Sequence, residues 1–204
     1  MDELHKALGD IGSIRRQMAR STEFRGYGPA TLAATGLIAL AAACTQTLWL
    51  PDAGLHPLGY LAIWGATAFV SASLIGGQMI SRTHRMHSGL ADEMIRMAVE
   101  QFLPAIGTGA LLTLVIARYV PGALWMLPGL WQMISGLGIF SSCRFLPRAM
   151  MGAGAWYLVC GLFSIALADH RALSPWAMGI PYGAGQLLIA GILYWNRQGE
   201  SDEA

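Results

Sequence analysis

Six stretches of the chain are apolar without the polar interruptions of a globular helix. They run about 30–50, 58–80, 101–120, 122–141, 150–168 and 175–195. An amphipathic surface helix shows a polar position every three to four residues. Here no Asp, Glu, Lys or Arg falls between Pro29 and Trp49 or between Leu58 and Ile80. A helix rises 1.5 Å per residue, so about 20 apolar residues cross the ~30 Å hydrocarbon layer. The pattern predicts an all-α, polytopic membrane protein. Its six transmembrane helices form three hairpins joined by short turns, with both termini cytoplasmic.

Between the apolar stretches lie three pieces of different character. Residues 1–28 place Leu4, Leu8, Ile11 and Met18 at helical spacing, with Arg15, Arg16 and Arg20 off that stripe. This predicts an amphipathic basic leader lying on anionic lipid, packed on the bundle's own loops, or docking a cytoplasmic protein partner. It lacks the apolar core and cleavage site of a signal peptide. Residues 81–100 read as an extension of span two, a break at Gly89, and a short helix in which Asp92 pairs with Arg96 four residues on. Residues 196–204 are acidic and polar, a composition that predicts a disordered tail after the bundle of 29–195.

Charge fixes the orientation. Only 12% of the residues are charged and 54% are hydrophobic, against about 25% charged in soluble domains. Eleven of the thirteen Lys and Arg residues fall on one side of the predicted topology, and only Arg118 and Arg171 fall on the other. Basic residues near spans stay cytoplasmic. Trp49, Trp125 and Trp176 then mark the outer ends, and Tyr194 and Trp195 an inner end. The expected location is a cytoplasmic membrane of bacterial type, with the lipid bilayer and no nucleic acid as partner. Cys44, Cys143 and Cys160 offer no external pair, which argues against a disulfide framework.

Spans four and six resemble one another. Trp125, Pro128 and Gln132 recur as Trp176, Pro181 and Gln186. A proline inside a helix frees the carbonyl four residues before it, and in lipid that carbonyl needs a partner or a wet cavity. The pattern predicts two kinked spans with Gln132 and Gln186 at mid-depth. Trp131, Tyr182, Tyr157 and Trp156 supply aromatic walls. The competing role for the amides is interhelical packing glue.

Other chemistry is sparse. His84 and His87 share a helix face and are the candidate metal pair, but Arg82 and Arg85 oppose a cation, so no metal and no cofactor is expected. No histidine lies inside a span, which removes an intramembrane bis-histidine haem. No span carries a central Asp or Glu, as proton-coupled pumps require. Ser71, Ser73, Ser135 and Ser164 have no intramembrane base, and there is no phosphate-binding glycine loop. Thr31, Thr35, Ala39, Ala43 and Thr47 form a small-residue ridge on span one, echoed by Gly179 and Gly183. They predict a tight bundle or a self-associating surface.

Three functions fit the sequence. The first is binding or transport of a small apolar or zwitterionic molecule at Pro128, Trp131, Gln132, Pro181, Tyr182 and Gln186. The second is a non-catalytic anchor, sensor or assembly subunit, as a homo-oligomer or with a cytoplasmic partner. The third is a metal-dependent enzyme at the cytoplasmic surface near His84, His87 and Glu100.

Overall fold

The structure is a computed structural model. It describes residues 28–86, 89–142, 149–166 and 173–202, with side chains described for 28–78, 80–81, 100, 103–142, 149–166 and 173–196. The leader, His87 and the side chain of His84 lie outside these ranges. Six α-helices follow in order: α1 Pro29–Trp49, α2 Pro57–Met86, α3 Gly89–Tyr119, α4 Leu127–Ser142, α5 Met150–Ala166 and α6 Pro175–Asp202. A 3-10 helix, Pro121–Met126, precedes α4. No strand occurs among the described residues.

Four windows are long and apolar enough to cross a membrane: Pro29–Trp49, Pro57–Gln78, Pro121–Ser142 and Pro175–Asn196. Each opens on a proline. At the first helical position the missing N–H costs nothing, and the fixed φ is already helical. These four make the chain a multi-pass membrane protein. Two further apolar helices, Leu103–Tyr119 and Met150–Ala166, are shorter. Exposed Trp176 and Trp195 stand nineteen residues apart on α6, or about 28 Å along the axis. That span matches the hydrocarbon thickness between two interfacial aromatic belts.

The tightest crossings among the helices are not those between the helices predicted to form hairpins. They join α1 to α6 and α4 to α5. Both are made by residues without bulk. A Cβ added to Gly129 would lie 2.6 Å from the carbonyl of Gly161, and one on Gly161 would lie 2.6 Å from the carbonyl of Gly129. Gly136 and Gly154 face each other in the same antiparallel register. On the other pair, Gly36 lies against the backbone of Gly183, and Gly179 lies against Ala43. The middle of the α1 ridge is therefore spent inside the chain: Thr35, Ala39 and Ala43 are buried, with Ala39 and Ala43 against Gly179, while Thr31 is half-buried and Thr47 exposed.

Two local departures have simple causes. The fourth span is not one α-helix, because Pro128 has no N–H to give Leu124. The Leu127 N–H instead donates to the Leu124 carbonyl and closes a 3-10 turn. The last helix runs to Asp202 rather than stopping near 195, so residues 196–202 are helical where composition predicts disorder. No proline interrupts Asn196-Arg197-Gln198, and a helix already nucleated propagates cheaply.

Towards the end marked by Trp49, α2 and α3 meet the bundle through Tyr60, Trp64 and Ile116, all buried. Past Trp64, α2 has no buried position as far as Gln78. It follows α1, to which Gln78 Oε1 ties it by accepting the Gly28 N–H at 2.9 Å. Helix α3 follows α4, and α2 and α3 barely touch.

Candidate functional site

Helix α6 is the element through which the interior polar groups are joined. Pro181 cannot donate to the Ala177 carbonyl. Gln132 of α4, fully buried, donates its Nε2 to that carbonyl at 2.8 Å. The carbonyl of Pro181 itself accepts the Trp156 Nε1–H of α5 at 3.0 Å. The kinked middle of α6 is thus held from both sides by side chains of its neighbours. A backbone group that lipid would leave unpaired is satisfied inside the protein.

One turn further along, the Tyr182 hydroxyl and Ser135 Oγ of α4 share a hydrogen bond of 2.9 Å. Ser135 also donates to the Trp131 carbonyl at 2.8 Å, so in that arrangement the Tyr182 O–H is the donor of the shared bond. Beyond it, Thr35 Oγ1 of α1 lies 3.3 Å from Gln186 Oε1, and Gln186 Nε2 donates to the Tyr157 hydroxyl of α5 at 3.3 Å. The Tyr157 and Tyr182 rings pack tilted with centroids 5.2 Å apart. Trp131 of α4 donates Nε1–H to Thr113 of α3 at 2.9 Å.

The sequence-predicted residues therefore all lie on one polar seam, but not in one cluster. The Gln132 nitrogen is spent at the level of Ala177, and the Gln186 nitrogen is spent on Tyr157. Ala177 and Gln186 are nine residues apart on α6, about 14 Å along the axis. Pro128 does not free a carbonyl, since the Leu124 carbonyl is already taken; it opens α4 instead of kinking it. Pro181 is a true interior proline. Trp131, Ser135 and Tyr182 are half-buried and are joined to the seam by the bonds just described.

A second buried amide was not singled out by the sequence. Gln46 of α1 is fully buried. It donates to the Leu173 carbonyl at 2.9 Å and accepts from Trp64 Nε1 at 2.7 Å. It ties α1 to α2 and to the segment entering α6. The same signal that marks Gln132, an amide in an apolar run, also marks Gln46.

The seam holds no charge. The four long apolar windows contain no Asp, Glu, Lys or Arg, and exposed Arg118 sits in the last turn of α3 with its guanidinium 5.7 Å from the Tyr119 ring centroid. There it offsets the helix dipole and reaches the interface. No group of three His, Cys, Asp or Glu converges among the described residues. No protein-family model matches the chain, and no curated protein or solved structure is similar to it.

Proposed function

We propose that this is a six-span protein of a bacterial-type cytoplasmic membrane, with both termini cytoplasmic, that binds a small, neutral, largely apolar molecule. The two 17-residue apolar helices complete the six crossings. Each would cover about 25 Å, at the short end of the spanning range, and α3 continues as helix beyond its apolar part. The ligand lies in the crevice where α2 and α3 diverge over the seam of α4 and α6. Its floor is Trp131, Ser135 and Tyr182.

The observation that carries this reading is the hydroxyl pair Ser135–Tyr182, half-buried between aromatic rings at the middle of the bundle. Around it the other interior donors and acceptors are largely committed to structural bonds. Small-molecule sites have this make-up: apolar and aromatic walls with a few placed polar groups. A charged ligand is disfavoured, because nothing in the long apolar windows would neutralise it and burying an unpaired charge is expensive. The zwitterionic option loses support for the same reason.

The test uses the full chain in lipid nanodiscs, with melting followed by circular dichroism against a panel of neutral aromatic and aliphatic compounds. At least one compound raises the wild-type melting temperature saturably, and Tyr182→Phe and Ser135→Ala lose that shift while melting normally without ligand. A shift of wild-type size in both variants would show that the crevice is not the site.

A further inference from the structure

Two polar atoms near the seam break its otherwise complete pairing. Among the described residues, the carbonyl oxygen Gln132 Oε1 and the hydroxyl of Tyr60 are buried without a hydrogen-bond partner. Gln132 is 0% exposed and Tyr60 1% exposed. Their neighbours show how unusual this is. Gln46 has both ends engaged, and the ring N–H groups of Trp64, Trp131 and Trp156 are all paired. A buried polar group without a partner is costly and rare enough to need a reason. Ser164, the third such group, lies on α5 one turn from Gly161 and away from this region.

Both residues lie in the neighbourhood of Met178. The Gln132 amide nitrogen is 3.7 Å from the Met178 sulfur. Tyr60 and Met178 belong to one buried cluster, against which Trp131 and Tyr182 pack. Met178 is four residues before Tyr182 and so shares its helix face. An unbranched, flexible thioether thus lies beside both residues that carry the unpaired atoms.

Resting on the binding function proposed above, we infer that the ligand is a hydroxyl compound, an alcohol or phenol with an apolar body, whose OH enters past Met178. An amide oxygen only accepts, so Gln132 Oε1 calls for a donor. A tyrosine hydroxyl both gives and takes, so Tyr60 offers an O–H to the ligand oxygen. A single OH group supplies both requirements. The walls of Met178, Trp131 and Tyr182 receive the apolar body. A hydrocarbon leaves both atoms unpaired, and an ether satisfies Tyr60 alone.

Equilibrium dialysis of the full chain in nanodiscs, corrected against empty nanodiscs, separates these cases with p-cresol, 4-methylanisole and p-xylene. The three share a ring and differ in what they donate and accept. The cresol binds about tenfold more tightly than the anisole, the effect of one added hydrogen bond to a buried acceptor. Gln132 also holds Ala177, so Gln132→Leu is made together with Pro181→Ala, which gives that carbonyl a helical partner. In this background the preference for cresol over anisole disappears, and in Tyr60→Phe the preference for anisole over xylene shrinks. Equal binding of cresol and anisole, or a preference that survives Gln132→Leu, overturns the hydroxyl assignment and leaves the crevice standing. Absence of binding by all three overturns both.

Discussion

The Gln132–Ala177 bond can be weighed by a double-mutant cycle. Gln132→Leu removes the donor and leaves the Ala177 carbonyl unpaired in the bundle. It also removes the unpartnered Oε1. These two effects oppose each other, since an orphaned buried group costs ~1–3 kcal/mol on either side of the exchange. The single substitution therefore has no secure sign. Pro181→Ala resolves it. Residue 181 then carries an N–H that donates to Ala177 in the ordinary helical way, and Gln132 is no longer needed. Loss of Oε1 is common to both backgrounds and cancels. What remains is the cost of orphaning one backbone carbonyl.

For interhelical hydrogen bonds in membranes, measured couplings average about 0.6 kcal/mol and reach about 1.7 kcal/mol, because the unfolded chain in the bilayer also finds partners. The carbonyl here lies at a proline break, where no backbone N–H can replace Gln132, which places the coupling near the upper half, at about 1 kcal/mol. That is roughly a fivefold change in the folding equilibrium. Unfolding in mixed micelles of rising denaturing-detergent fraction reads it out. Gln132→Leu should cost about 1 kcal/mol more in the presence of Pro181 than in the Pro181→Ala background. Additive effects within ~0.3 kcal/mol, the range for independent sites, would mean that the Gln132 bond is not what supports the proline break.

The glycine contacts give sharper losses. Gly161→Val must push its side chain into the Gly129 carbonyl and Met133, so α4 and α5 separate and folded protein recovered by size exclusion falls to background; Gly65→Val, with open space around it, leaves yield and melting unchanged. Ala39→Leu forces bulk between α1 and α6 and should destabilise by ~1–3 kcal/mol, the cost of overpacking, read as lower thermal stability in detergent; wild-type melting would mean that α1 does not sit against α6. Gln46→Leu strands the Trp64 N–H and the Leu173 carbonyl and should cost ~1–3 kcal/mol, with Trp64→Phe relieving part of it.

The helices were legible in the sequence, and the pairing of helices was not. Charge-free runs bounded by Pro29, Pro57, Pro121 and Pro175 show where hydrocarbon-length helices begin. The small residues of α1 and α6 were visible as well, but a ridge does not name its partner. Thr35, Ala39 and Ala43 could as easily have met a second copy of the chain; only the folded bundle brings Ala39 and Ala43 against Gly179. The α4–α5 contact was hidden for a related reason. Gly129 and Gly136, like Gly154 and Gly161, are seven residues apart, and glycine is common in membrane helices. Their matched spacing becomes a signal only once an antiparallel register is fixed.

The candidate site shows the same limit at the level of single atoms. The similarity of Trp125-Pro128-Gln132 to Trp176-Pro181-Gln186 suggested two equivalent kinks facing a shared pocket. The kinks are not equivalent. Pro128 sits where a 3-10 turn has already used its carbonyl, so it needs no help. Pro181 sits in the middle of α6, so its carbonyl must be met from outside, and Gln132 meets it. A proline's consequence depends on whether an α-helical turn precedes it, which a six-residue stretch such as Pro121–Met126 decides locally. Once Gln132 turns its nitrogen to Ala177, its oxygen points the other way with nothing to accept. The structural bond that steadies α6 is therefore the same bond that leaves the other end of the amide unpaired inside the bundle.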